Sequence, residues 1–185
     1  MTGVYNAGIA KSRIAQTSIE PVALGKTFTI GIAELKAVRA PDRVSTLGLG
    51  SCVGLVLYDP VSKVGGMVHI MLPAAPKEGS VTNRSKFADT GILDLIRAVA
   101  ASGAMRGRLI AKFAGGAHMF NAVCNNDIMN VGERNVQMCR KILQEQSIRT
   151  VAEDTGGACG RSIEFCCESG MLQVRTISPK SVRLL

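Results

Sequence analysis

Ser45-Thr46-Leu47-Gly48-Leu49-Gly50-Ser51-Cys52-Val53-Gly54 is the stretch from which the fold of this chain is read. Three glycines within seven residues interrupt a strand-like apolar run, and glycine tolerates positive φ and close backbone approach where other residues do not. A sharp bend just before Cys52 is therefore expected. A cysteine mounted on a bend can face a pocket together with neighbouring backbone N–H groups, which is what an acyl-transfer nucleophile needs. The same cysteine in a smooth strand would be a small buried hydrophobe. The bend alone leaves both readings open.

Next along the chain, two strand-like runs, Val53 to Tyr58 and Val64 to Met71, flank Asp59-Pro60-Val61-Ser62, and Asp followed by Pro suits the first two positions of a type I turn. A hairpin is predicted. With the turn centred between Pro60 and Val61, Cys52 faces His69. Directly opposed residues of antiparallel strands have Cβ atoms roughly 4.5–5.5 Å apart, close enough for a thiol and its imidazole base. A slip of one residue would put the two side chains on opposite faces and leave His69 an ordinary strand histidine.

An imidazole base also needs a group that fixes its tautomer. Thr46 lies six residues before Cys52, on the same face of an ideal strand, but an unbent strand would separate them by about 20 Å. Only the Gly48/Gly50 bend could close that gap. Asp59, Asp89 and Asp154 are the commoner kind of partner, and spacing does not choose among the four.

The blocks Thr46-Leu47-Gly48-Leu49-Gly50-Ser51-Cys52-Val53, Tyr58-Asp59-Pro60, Gly65-Gly66-Met67-Val68-His69-Ile70-Met71-Leu72-Pro73 and Phe87-Ala88-Asp89-Thr90 continue into Ala111-Lys112-Phe113-Ala114-Gly115-Gly116-Ala117-His118-Met119-Phe120, Val131-Gly132-Glu133-Arg134-Asn135 and Asp154-Thr155-Gly156-Gly157-Ala158-Cys159-Gly160-Arg161. Together, over residues 27 to 177, they resemble the CheD family of chemoreceptor glutamine deamidases. The resemblance implies hydrolysis of glutamine side-chain amides in bacterial chemoreceptors, turning Gln into Glu. It places the nucleophile, base and third triad member on Cys52, His69 and Thr46. It further implies an α/β sandwich similar to the cytotoxic deamidase toxins, and a second role in binding a CheC-type phosphatase.

The 185 residues suit one domain, read as residues 27–185, preceded by a polar arm over residues 1–26 that is expected to be mobile. Hydrophobic residues make up 46% of the chain and charged ones 19%, which argues for a packed globule rather than a disordered chain. The net charge of +8 is spread out, and adjacent basic residues occur only at Arg140-Lys141. With few aromatics for stacking, such a diffuse field suits steering toward an acidic partner rather than nucleic-acid binding.

The six cysteines, at positions 52, 124, 139, 159, 166 and 167, form no CxxC and no regular framework, and the N-terminus has no apolar signal segment. Free thiols in a cytoplasmic setting are expected, with no membrane insertion. Cys159, Cys166, Cys167 and His118 match no common zinc spacing, and Gly115-Gly116 lacks the Lys-Ser/Thr of a phosphate loop, so neither metal nor cofactor is expected.

Thr27 to Val38 alternates like one strand, and Ala74 to Ser85 reads as a loop bordering a pocket. Helical spacing runs from Ser85 to Gly103, and Asn130 with Glu133 resembles a capping box opening a helix through Leu143. Further strands are read at Arg108–Phe113, Ile148–Ala152, Arg161–Cys167 and Met171–Ile177, with Gly115-Gly116 and Asp154-Thr155-Gly156-Gly157 as turns. The class is α+β, a layered fold of mainly antiparallel sheet with flanking helices. Two rivals to the deamidase remain at this stage: a protease or transglutaminase using the same Cys and His, and a non-catalytic adaptor.

Overall fold

Alternation along the strands sorts this chain into layers. The computed structural model describes residues 25–78, 80–118, 131–176 and 180–185. The expected N-terminal arm, apart from Gly25 and Lys26, lies outside the described residues, as do Met119, Phe120, Cys124, Asn130 and Ile177.

The strands are β1 (Thr27–Ile30), β2 (Leu35–Arg39), β3 (Arg43–Leu49), β4 (Val53–Asp59), β5 (Val64–Ile70), β6 (Ile110–Gly115), β7 (Arg149–Thr155), β8 (Arg161–Cys166), β9 (Met171–Thr176) and β10 (Ser181–Leu184). The helices are α1 (Ala88–Ala101), between β5 and β6, and α2 (Val131–Glu145), between β6 and β7. Two five-stranded sheets result, one in the order β1-β3-β8-β9-β10 and the other β2-β5-β4-β6-β7. Pairing is antiparallel except between β1 and β3 and between β6 and β7.

The β4 strand sits at the centre of the second sheet and is buried along its whole length, which is why it reads as a nearly continuous apolar run. Val53, Leu55 and Leu57 point to one side, where Val68 and Ile70 of β5 join Ile92, Leu95 and Val99 of α1 and Val136, Cys139 and Leu143 of α2. On the other side Val56 and Tyr58 join Met67 of β5 and meet Val44, Ile163, Phe165 and Leu172 of the first sheet. The layer order is therefore helices, second sheet, first sheet. Fully burying an aliphatic side chain contributes about 2 kcal/mol, so both interfaces hold the second sheet in place. The α+β class is as read from the sequence, with the strands divided between two facing sheets.

Three sequence expectations need correction. Gly115 and Asp154-Thr155, read as turn residues, are instead the paired ends of β6 and β7, with Thr155 opposite Gly115. Thr27 to Val38 is not one strand. The chain turns at Gly31 to Glu34, where Gly31 N–H donates to Glu34 Oε2 at 2.8 Å and Ala33 takes φ 60°, so β1 joins the first sheet and β2 the second.

The β4–β5 hairpin is also shifted by two residues. Its loop is Pro60 to Lys63, closed by Asp59 opposite Val64, and Lys63 adopts φ 50°. Asp59 Oδ1 accepts from Val61 N–H at 3.0 Å inside the loop. A four-residue loop ending in a left-handed residue moves the centre of the turn one residue along the chain. His69 therefore faces Gly54 rather than Cys52. A shift of two preserves parity, so Cys52 keeps the side of the sheet on which His69 lies.

Candidate active site

The segment that carries Cys52 is the passage from one sheet to the other. The β3 strand belongs to the first sheet and β4 to the second, with Gly50, Ser51 and Cys52 between them. Just before the passage β3 bulges: Thr46 pairs with Ile163 and Leu49 with Arg161, so Leu47 and Gly48 together oppose Ser162. Gly48 takes φ 71°, a conformation that a residue with a side chain would adopt only under strain. The bulge lets both Thr46 and Leu49 face inward, fully buried, while Leu47 is exposed.

Three successive carbonyls of the passage are tied down. Ala117 N–H donates to Gly50 O at 2.8 Å, Asn135 Nδ2 to Ser51 O at 2.9 Å, and Gly116 N–H to Cys52 O at 2.8 Å. Gly115, at φ 124°, passes so close that a Cβ there would fall 2.2 Å from Cys52 O. The amide N–H groups of Ser51 and Cys52 meet no acceptor among the described residues. Two unspent donors beside a half-buried thiol have the makings of an oxyanion hole.

His69 is fully buried on β5, facing the first sheet. Its backbone is held from both directions, by Ala33 N–H on His69 O and by His69 N–H on Glu34 O, each at 3.0 Å. Its ring reaches across the sheet interface to Thr46, with Nδ1 2.7 Å from Thr46 Oγ1. The hydroxyl proton of Thr46 is already given to Ile30 O at 2.9 Å. A hydroxyl has one proton, so Thr46 Oγ1 must accept from His69 and Nδ1 must carry the ring's hydrogen. Nε2 then holds the free lone pair, and it is buried with no hydrogen-bond partner among the described residues.

Electrostatics favour the neutral pair. Burial pushes the Cys52 thiol above its ordinary pKa and holds His69 below the ordinary imidazole value. The resting site is thus a thiol and an uncharged imidazole rather than a preformed ion pair. No hydrogen bond joins Cys52 Sγ to His69 Nε2 in this structure, and such contacts are often loose before substrate binds.

The structure brings Thr46 to His69, and it does so by sheet packing rather than through the six-residue spacing to Cys52. The three carboxylates that spacing left open are engaged elsewhere. Asp59 binds Arg108, Asp89 accepts from Ala75 N–H, and Asp154 binds Arg161 and Arg183. Reading the sequence missed Asn135, whose signal is a single amide in the buried stripe Gly132, Val136, Cys139 and Leu143 of α2.

The family model for CheD chemotactic sensory transduction matches residues 71–176. A "Probable chemoreceptor glutamine deamidase CheD" of Caldanaerobacter subterraneus subsp. tengcongensis is 53% identical over 152 residues, covering 82% of this chain and 94% of that protein. One of the same description from Moorella thermoacetica is 49% identical over 160 residues, 86% of this chain and 96% of the other. A "Chemoreceptor glutamine deamidase CheD" of Halalkalibacterium halodurans is 50% identical over 149 residues, 80% of this chain and 92% of that protein.

Proposed function

Because this chain belongs to the CheD family, we propose that Cys52, His69 and Thr46 are the catalytic triad of a chemoreceptor glutamine deamidase. The reaction is hydrolysis of a receptor glutamine side-chain amide to glutamate with release of ammonia. The observation that carries the triad is the locked imidazole: Thr46 takes the Nδ1 hydrogen, leaving the Nε2 lone pair as the only basic atom of the ring.

His69 Nε2 removes the Cys52 thiol proton as Sγ attacks the amide carbon. The C=O bond opens to an oxyanion that the Cys52 N–H, with that of Ser51, receives. Collapse of the adduct breaks the C–N bond, and the imidazolium gives its proton to the departing nitrogen, which leaves as ammonia. Water then attacks the thioester, losing a proton to His69, and the thiol departs and takes the proton back. One water is consumed and the enzyme returns unchanged.

The substrate is the cytoplasmic domain of chemoreceptors, and a protein acting on it works in the cytoplasm. No described helix is long and apolar enough to cross a membrane. Binding of a CheC-type phosphatase is a second, non-enzymatic role that the family resemblance suggests, and it would survive loss of the nucleophile.

Ammonia release and mass mapping of Gln to Glu in receptor cytoplasmic fragments test the reading, with wild type set against Cys52→Ala. Release by wild type alone is expected. Release by both proteins would remove Cys52 from the chemistry. Cleaved or cross-linked receptor in place of Glu would favour a protease or transglutaminase, and an inert wild type would leave the adaptor role.

A further inference from the structure

Asn135 is fully buried on α2, in a face that is otherwise apolar. Its Nδ2 donates to two carbonyls, Ser51 O at 2.9 Å and Met71 O at 3.0 Å. Ser51 immediately precedes the nucleophile, and Met71 lies two residues beyond the base. The β4–β5 ladder ends at the pair Val53 and Ile70, so the two chains part at this point, and Met71 N–H is already committed to Lys86 O at 2.9 Å. A primary amide carries two N–H groups, and here one goes to each side of the fork. Oδ1 of the same amide is buried without a partner among the described residues, where the donor pair is what this position supplies.

We infer that Asn135 is a positioning residue for hydrolysis, one that aims the Cys52 N–H at the developing oxyanion by holding the Ser51 carbonyl on the helix side of the second sheet. In a planar trans peptide the C=O and N–H point in opposite directions. Anchoring Ser51 C=O to α2 therefore turns Cys52 N–H toward the space between the sheets, where His69 and the thiol lie and where that N–H meets no acceptor among the described residues. The other two anchors of the passage are backbone amides of Gly116 and Ala117, which substitution leaves in place. Asn135 is the side-chain anchor, and the second sheet separates it from the reacting atoms. The inference rests on the deamidase reading above.

The test compares wild type with Asn135→Leu, which keeps the volume filled and supplies no donor, and with Asn135→Ala. Two rates are read: ammonia release from a receptor cytoplasmic fragment, and alkylation of Cys52 by iodoacetamide. Alkylation displaces iodide at a saturated carbon and develops no oxyanion, so it reports thiol access and basicity alone. The expected result is a kcat lower by about 100-fold, with KM and the alkylation rate each within about 2-fold of wild type. Retained kcat overturns the inference, and so does an alkylation rate that falls in step with hydrolysis. Unfolding of both variants overturns it in favour of a purely architectural role. If wild type itself releases no ammonia, the deamidase reading fails and takes the inference with it, whereas an active wild type beside equally active variants sinks the inference alone.

Discussion

Thr46 Oγ1 lies 2.7 Å from His69 Nδ1, and the two residues belong to different sheets. The contact makes sheet packing part of the candidate site, because any change in the spacing between the sheets alters the position of the imidazole.

Thr46→Val keeps the shape of the side chain and removes the oxygen. The buried Nδ1–H loses its acceptor and the Nε2–H tautomer becomes competitive. Deamidation should fall by about 100-fold, with Thr46→Ser recovering most of it. Steady-state ammonia release decides this, and undiminished turnover in Thr46→Val would exclude the threonine from the site.

The pH profile follows from the two burial shifts. His69 must be neutral to act as base, and burial lowers its pKa, so activity should persist below pH 6.5 before the acid limb sets in. Cys52 must bring the proton that ammonia finally carries away, and burial raises its pKa, so the alkaline limb should lie above pH 9.0. A profile of kcat/KM against pH checks both limbs. An acid limb above pH 6.5 would contradict a desolvated base.

Gly115→Ala should abolish turnover and destabilise the fold. A Cβ at this position would fall 2.2 Å from Cys52 O, and φ 124° is itself unfavourable for alanine. The passage carrying Cys52 would have to move. A loss of about 3 kcal/mol in urea unfolding, together with lost ammonia release, is expected.

Asp59 provides a stability test away from the thiol. It is fully buried at the hairpin loop, hydrogen-bonded by Arg108 and by the N–H groups of Val61 and Met105. The Arg108 guanidinium holds its carboxyl well below the usual carboxylate range. A depressed folded-state pKa stabilises the fold above the unfolded-state value of about 3.9 and loses that contribution as pH falls further. Asp59→Ala should lower Tm by roughly 5–10 °C at pH 7, with the gap to wild type narrowing below about pH 4. Thermal melts across pH 3–7 would show this, and a gap that widens in acid would refute it.

Much of the local structure was legible because it depends on near neighbours in the chain. The spacing of Ile92, Leu95, Ile96 and Val99 sufficed for α1, and the alternation in Arg161–Cys166 for β8. The hairpin was legible as a hairpin, but its register was not. That depended on Lys63 entering a left-handed conformation, which a non-glycine residue does not advertise. Thr27 to Val38 looked like one strand because alternation reports a face and says nothing of which sheet the face belongs to.

Residue pattern alone was enough for a glycine-rich bend at Cys52 and for a strand carrying His69, while the side of the sheet each would face hung on a register that the structure had to supply. Spacing left Thr46 level with three carboxylates and the family resemblance pointed to it, but the hydrogen bond from His69 to Thr46, and the reach of Asn135 to Ser51 and Met71 from a helix more than sixty residues away in the chain, are visible only in the packed molecule. The reason is physical. Periodicity arises from the chain's own geometry, whereas a hydrogen bond between sheets, or from a helix to a strand end, exists only once two distant segments are packed against each other.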